Sequence, residues 1–315
     1  MHALVADVFS WGAEVIVAIQ ALSTPALDLF FTLVTMLGQE PLYVLLYPLA
    51  FWCVGKRFGL RTTGLILTTL LINEALKRLV AEPRPYLVHP EIQARLVYSG
   101  FSFPSGHAQL SATLWPALAT RVRRSWFWAL AVVMIAAVSL SRVYLGVHYP
   151  HDVVAGILVG LAVGALYAAA EVHLRDRLAS GRICPMAFVA LAAGAVALAL
   201  LHGQDVLLAT GGAVGAAAGW ALDERTPRAR PLPGALPCAA RFLLGLGALG
   251  ALYLAVEGWA PPAGGAPRQI ALTLALYAAL GLAATWGVPW AFARLGLMVG
   301  HPPVARPDSK EKGPT

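Results

Sequence analysis

The chain has 315 residues, of which 58% are hydrophobic and only 12% charged, with a mean hydropathy of +0.69. That composition argues against a water-soluble globular domain and for an integral membrane protein. The formal charge of +7 comes from basic residues dispersed in short clusters between apolar runs, so no nucleic acid partner is expected. The cysteines, Cys53, Cys184 and Cys238, are odd in number, far apart and without metal-ligand spacing, so neither a disulfide framework nor a metal site is expected.

The N-terminal MHALVADVFSWGAEVIVAIQ lacks a basic opening, carries Asp7 and Glu14, and shows no small-residue cleavage pattern. It therefore reads as mature protein rather than a signal peptide. Apolar runs close to the ~20 residues needed to cross a bilayer then follow one another, each ended by Gly, Pro or a basic cluster. About ten spans are predicted, near residues 12 to 37, 41 to 55, 60 to 80, 104 to 120, 125 to 143, 152 to 173, 185 to 202, 205 to 221, 240 to 257 and 269 to 291. The first is interrupted at Ser23, Thr24 and Pro25, which reads as an interfacial helix followed by a short span.

Lys and Arg fall unevenly between these spans. Seventeen of the 23 lie in one set of alternate loops and the C-terminal tail, including Lys56, Arg61, Arg123, Arg177, Arg228 and Lys310. The positive-inside rule then places both termini in the cytoplasm. The other set holds only Lys77, Arg78, Arg84, Arg95, Arg142 and Arg268, yet its cations crowd beside His107, His148 and Asp152. Ionisable groups gathered on the outer face of an otherwise apolar protein point to a functional site.

Three outer segments can be read together. In KRLVAEPRP, Lys77 ends the third span and Arg84 precedes Pro85; a guanidinium fork and a mobile ammonium suit the non-bridging oxygens of a phosphate. Taken alone, the pair reads equally as interfacial snorkelling. In FSFPSGHAQ, Pro104 can occupy a helix's first turn, leaving the amides of Ser105, Gly106 and His107 free as an anion site. His107 would stand beside the anion as a proton carrier; a lone histidine here would more simply be a satisfied interfacial one. In SRVYLGVHYPHD, Pro150 predicts a helix start just after His148 with Asp152 in its first turn. The carboxylate could hold one imidazole nitrogen of His148 as the donor and leave the other free to attack, or merely cap the helix. Arg142 adds a third cation. His151 has no partner in view and reads as a lipid-interface residue.

Taken in order, Lys77 with Arg84-Pro85, then Pro104-Ser105-Gly106-His107, then Ser141-Arg142, His148 and Asp152 resemble the three-part signature of the type 2 phosphatidic acid phosphatase superfamily, over roughly residues 25 to 173. The resemblance implies a metal-independent phosphomonoesterase or pyrophosphatase without a cofactor, built on a six-span helical core and working through a phosphohistidine. Carried over residue by residue, it implies that Lys77, Arg84 and Arg142 hold the phosphate with Ser105 and the Gly106 amide, that His107 protonates the leaving oxygen, that His148 is the nucleophile, and that Asp152 orients it. GQEPLYVLLYPLAFWC and NEALK are similar to the sphingosine-phosphate phosphatase branch, and RPY with SRVYLGVHYPHD to the glucose-6-phosphatase branch.

The expected fold class is an all-α integral membrane protein with a six-helix phosphatase core at residues 1–183, a four-helix extension at 184–293 and a polar cytoplasmic tail at 294–315. The extension's TGGAVGAAAG face suits close helix packing, within the chain or against a second copy. The expected function is hydrolysis of a lipid phosphate monoester or lipid pyrophosphate on the outer side of a bacterial inner membrane, with lipid phosphate and membrane lipids as partners. Three other readings stand beside it: a sugar-phosphate phosphatase, a non-catalytic lipid-phosphate transporter or receptor, and a vanadium haloperoxidase. The last of these is a soluble protein in the resemblance, and this chain is not.

Overall fold

A computed structural model describes residues 2–39, 46, 48–173, 204–223, 229–257 and 267–300. The span expected at 185 to 202, the loops holding Arg175, Arg177, Arg182, Arg225 and Arg228, Cys184, and the tail from residue 301 lie outside the described residues. Among the described residues the regular structure is helical apart from one short ribbon, and the chain divides into two compact units, Met1–Tyr47 with Arg61–Ser180, and Pro48–Leu60 with Gly181–Thr315.

The first unit holds α1 (His2–Gln20), α2 (Pro25–Met36), most of α3 (Lys56–Val80), α4 (Gly106–Val122), α5 (Ser125–Tyr144) and α6 (Pro150–His173). The break at Ser23-Thr24-Pro25 is a helix start. Thr24 is extended, its hydroxyl accepts from the Leu27 amide at 3.2 Å, and Pro25 opens α2, the arrangement that satisfies an orphan donor at a helix N-terminus. At the other turn, Arg123 adopts the left-handed conformation (φ 57°) and ends α4, so the chain reverses directly into α5.

A buried polar ladder ties α3, α4 and α6 together. Asn73 donates to Gln109 Oε1 at 2.8 Å and to the Pro104 carbonyl at 3.3 Å. Gln109 donates back to the Thr69 carbonyl at 2.8 Å. Thr113 lies 2.8 Å from Thr69 Oγ1 and donates to the Gly160 carbonyl at 3.1 Å. In a lipid environment each unsatisfied polar group is costly, so a completed ladder fixes register between helices. The backbones of α6 and α4 approach so closely that a Cβ at Gly156 would come 2.6 Å from the Ser105 carbonyl, and one at Gly160 would overlap the Gln109 carbonyl. Small residues four apart make such an approach available to membrane helices.

In the second unit are α7 (Gln204–Asp223), α8 (Ala235–Glu257), α9 (Pro267–Leu282) and α10 (Val288–Arg294), with π-helical turns at Ala50–Val54 and Ala283–Gly287. Strands Ala229–Pro231 and Met298–Gly300 pair antiparallel, Arg230 opposite Val299. The TGGAVGAAAG face lies against α9: a Cβ at Gly211 would meet the Leu274 carbonyl at 2.6 Å, and one at Gly215 would overlap Ala278. That face is occupied within the chain. Arg241, 1% exposed, gives its guanidinium to the carbonyls of Trp52, Leu297 and Leu232 at 2.9 to 3.1 Å, and Lys56 pairs with Asp223.

Among the described residues, four helical segments are long and apolar enough to cross a membrane: Ser125–Tyr144, Pro150–Ala170, Ala235–Ala255 and Arg268–Arg294. Two other helices read as spans from sequence carry more polar freight. α3 has six charged residues in 25, and the 17-residue α4 carries His107, Gln109, Ser111 and Thr113. Both contribute to the ladder and, through Lys77 and His107, to the expected site.

Candidate active site

α3 and α5 end where α4 and α6 begin, so the loop 81–105 and the turn 145–149 meet at one end of the first unit. Backbone bonds join the loop to the turn, from the Arg95 amide to the Leu145 carbonyl at 3.3 Å, and to the start of α6, from the Ser105 amide to the Asp152 carbonyl at 3.0 Å. Gly146 permits this meeting. It has φ 72°, and a Cβ there would lie 2.8 Å from the Gln93 carbonyl, so the turn needs both the left-handed conformation and the missing side chain.

His148, 2% exposed, is held from both sides. Its Nδ1 lies 3.3 Å from Asp152 Oδ2 and 3.3 Å from Ser102 Oγ, and its Nε2 lies 3.4 Å from Arg84 Nη1. Asp152, fully buried in the first turn of α6, accepts at Oδ2 from Ser102 Oγ at 2.5 Å and from the Tyr149 amide at 2.8 Å. Arg84 spans the loop: Nε donates to the Gly100 carbonyl at 3.2 Å, Nη2 to Ser99 at 3.1 Å and Nη1 to Val147 at 3.1 Å. Burial, then the charges of Arg142, Arg84 and Lys77, hold the His148 imidazole well below its ordinary value. The ring is therefore neutral at neutral pH, as a nucleophile must be.

Arg142, at the end of α5 and 1% exposed, reaches back to Thr35 Oγ1 at 2.5 Å and to the Tyr98 hydroxyl at 3.2 Å. The Tyr98 ring lies 4.6 Å from the Arg142 guanidinium and 5.5 Å from that of Arg84, and edge-on to His107 at 5.9 Å. Tyr98 thus gathers two of the expected phosphate cations and the expected proton carrier around one ring. His107 Nε2 is buried without a hydrogen-bond partner, as is Ser105 Oγ. Lys77, half-buried in the last turn of α3, is near enough for its charge to act on His148.

Two sequence expectations change. The Ser105 amide is not available to an anion, because it donates to the Asp152 carbonyl; the first amides of α4 begin at Gly106, since Ser105 is the N-cap. His151 has partners that the sequence did not bring into view. It is 22% exposed at its side chain, with Nε2 2.9 Å from Glu82 Oε1 and 3.3 Å from Asp152 Oδ1, and its ring stacks on Tyr149 at 5.1 Å. Glu82, His151 and Asp152 bring one ligand atom each within 4.8 Å of one another. Both carboxylates face the same imidazole nitrogen, Nε2.

The chain matches the family model described as PAP2 superfamily over residues 58–176, and the one described as PAP2 superfamily phosphatase, transmembrane extension, over residues 207–300. Over 151 residues it is 32% identical to phosphatidylglycerophosphatase B of Bacillus subtilis, covering 44% of this chain and 71% of that protein. The chain belongs to the PAP2 superfamily. This PAP2 protein is also 33% identical over 106 residues to undecaprenyl-diphosphatase of Sulfolobus acidocaldarius, covering 33% of this chain and 51% of that protein. To decaprenylphosphoryl-5-phosphoribose phosphatase of Mycobacterium tuberculosis it is 42% identical over 92 residues, covering 29% of this chain and 49% of that one. The matched stretch spans about half the length of these last two relatives.

Within this PAP2 protein, sequence reasoning missed Ser102, Tyr98, Glu82 and Thr35. Ser102 lies within FSFPSGHAQ, but nothing in the sequence aims it at a carboxylate 50 positions on. Thr35 is one of several hydroxyls on an apolar helix.

Proposed function

We propose that this PAP2 protein hydrolyses a lipid phosphate monoester or lipid diphosphate at the outer membrane–water interface, without a metal ion, through a phosphohistidine on His148. The observation that carries the reading is the His148 ring itself, with Nδ1 beside Asp152 Oδ2 and Nε2 turned toward the Arg84 guanidinium. Relatives named for undecaprenyl diphosphate and phosphatidylglycerophosphate chemistry support the substrate class.

In this reading His107 takes up a proton as the phosphate dianion binds among the cations; Nε2 then attacks phosphorus and the bond from phosphorus to the leaving oxygen breaks, while the His107 imidazolium gives that oxygen its proton. Asp152 stabilises the positive charge that grows on the imidazole as the new N–P bond forms. Arg84, Arg142, Lys77 and the Gly106 amide neutralise the equatorial oxygens, and Ser105 offers its orphaned hydroxyl to one of them. Water, deprotonated by His107, then attacks phosphorus, the N–P bond breaks, and inorganic phosphate leaves. Buried cations are costly when unpaired; a phosphate dianion supplies their partner.

The chemistry is assigned to the core expected at residues 1–183 and the packing role to the extension from 184, which takes in residues 294–300 because Met298–Gly300 pairs with Ala229–Pro231; the cytoplasmic tail is the chain beyond them, in a bacterial inner membrane with both termini cytoplasmic. Phosphate release by the purified protein from phosphatidylglycerophosphate, phosphatidate, a sphingoid phosphate, a polyprenyl diphosphate and glucose 6-phosphate tests the reading. It expects turnover on at least one of the lipids and none with His148→Ala. Turnover only on the sugar phosphate would replace the substrate class, and equal turnover by His148→Ala would end the mechanism.

A further inference from the structure

We propose that Ser102 is a positioning residue that, with Asp152, fixes the tautomer and ring angle of the attacking His148. The inference rests on the phosphohistidine reading. Ser102 is fully buried in the loop before α4, and its amide donates to the Glu82 carbonyl at 2.7 Å, so its backbone is pinned. Its hydroxyl stands 2.5 Å from Asp152 Oδ2 and 3.3 Å from His148 Nδ1. A hydroxyl has one proton to give and lone pairs to receive with. Asp152 Oδ2 already accepts from the Tyr149 amide at 2.8 Å, so toward Ser102 the same oxygen is an acceptor and the Ser102 proton goes to it.

The consequence falls on the imidazole. With its proton committed, Ser102 Oγ can only accept from His148, and so can Asp152 Oδ2 at the same 3.3 Å. Both neighbours of Nδ1 are acceptors, and a neutral ring satisfies them only by carrying its proton there. The lone pair is thereby placed on Nε2, which faces Arg84. Asp152 alone would specify the tautomer through one bond; Ser102 also locks the Asp152 oxygen in place, together with the Tyr149 amide at 2.8 Å. The sequence motif contains Ser105, whose hydroxyl has no such contact, whereas Ser102 joins the orienting carboxylate to the nucleophile.

The test compares wild type, Ser102→Ala, Ser102→Cys, Ser102→Thr, Asp152→Asn and the Ser102→Ala/Asp152→Asn double variant on whichever lipid phosphate the wild type turns over, with His148→Ala as the blank. Changes to groups that orient a ligating or reacting histidine typically cost about 10- to 100-fold. Ser102→Ala is therefore expected to lose kcat by about that factor with KM within roughly twofold, and Ser102→Thr to recover most of it. The double variant should be only a few-fold slower than Asp152→Asn, because the two residues act as one unit. If the alanine variant does not fold, Ser102→Cys, which keeps the volume but lacks a strong donor, carries the same expectation. An active wild type and a dead His148→Ala, together with wild-type kcat in Ser102→Ala or Ser102→Cys, would overturn the inference and leave the mechanism standing. Full multiplication of the two losses in the double variant would also overturn it. His148→Ala as active as wild type would instead remove the mechanism beneath it.

Discussion

Arg84 Nη1 stands 3.4 Å from His148 Nε2, while the same guanidinium, Nη1 included, is tied to three backbone carbonyls of the surrounding loops. One side chain thus braces the loop 81–105 against the turn 145–149 and presents an Nη1 donor to the ring that the proposal makes the nucleophile. Burial lowers the Arg84 value from the guanidinium's ordinary one, against the opposing influence of Tyr86, Asp152 and Tyr98.

Lysine cannot reproduce that fork, so Arg84→Lys should damage both stability and turnover. Hydrogen bonds to charged groups contribute about 1.5–3 kcal/mol each. Losing one to the transferring phosphoryl group is therefore expected to lower kcat/KM by about 10- to 100-fold, and the loss of loop bracing to lower the thermal midpoint. Steady-state kinetics and a melting curve in the same detergent read both effects; wild-type values in either would contradict the bracing or the phosphate role separately.

The depressed value of His148 sets the sign of a pH effect. Burial first, then Arg142, Arg84 and Lys77, favour the neutral ring in the folded protein, whereas an unfolded histidine titrates near 6.5. The contribution to stability is present above about pH 6.5 and is lost as pH falls below it toward the folded value. The His148 limb of kcat/KM should lie on the acid side of 6.5, and Arg142→Gln should move it upward by removing a nearby charge. A limb that stays fixed in Arg142→Gln would show that another group controls it.

Chelation tests the role of His151. Activity should survive EDTA, because His151 Nε2 serves Glu82 and Asp152 as the positive partner between two carboxylates. Loss on chelation, restored by one divalent metal, would make Glu82, His151 and Asp152 its ligands and would overturn the metal-free mechanism.

The extent to which the site could be read in advance differs residue by residue. His148, Asp152 and Arg142 sit within eleven positions of one another across a helix end, a turn and a helix start, so local spacing alone suggested their chemistry. The break at Thr24-Pro25 and the start of α6 at Pro150 were legible for the same reason, since capping and proline act locally. Ser102, Glu82 and Tyr98 were not, because their roles depend on where a loop without periodic pattern comes to rest. His151 was misread for that reason: its partner Glu82 is 69 positions away. Ser105 erred in the other direction, as proximity to the helix start suggested a free amide that the Asp152 carbonyl in fact accepts from.

Orientation rests on the basic-residue imbalance. With the site on the outer side, a cysteine introduced at Ser99, an exposed loop position, should react with an impermeant maleimide in intact cells, and one at Arg123 should react only after permeabilisation. The reverse pattern would turn the protein over in the membrane.

The central claim is the covalent intermediate on His148, and trapping it is the most direct measurement. A nitrophenyl phosphate needs little help from an acid for its leaving group, so in His107→Ala the first step should proceed while the second, which needs His107 to activate water, stalls. Rapid quench with a phosphorus-labelled nitrophenyl phosphate should then show a burst of nitrophenol followed by near silence, and acid-labile label that maps to His148. No label should appear in His148→Ala. Label on any other residue, or turnover by His107→Ala with no burst and no phosphoenzyme, would contradict the account.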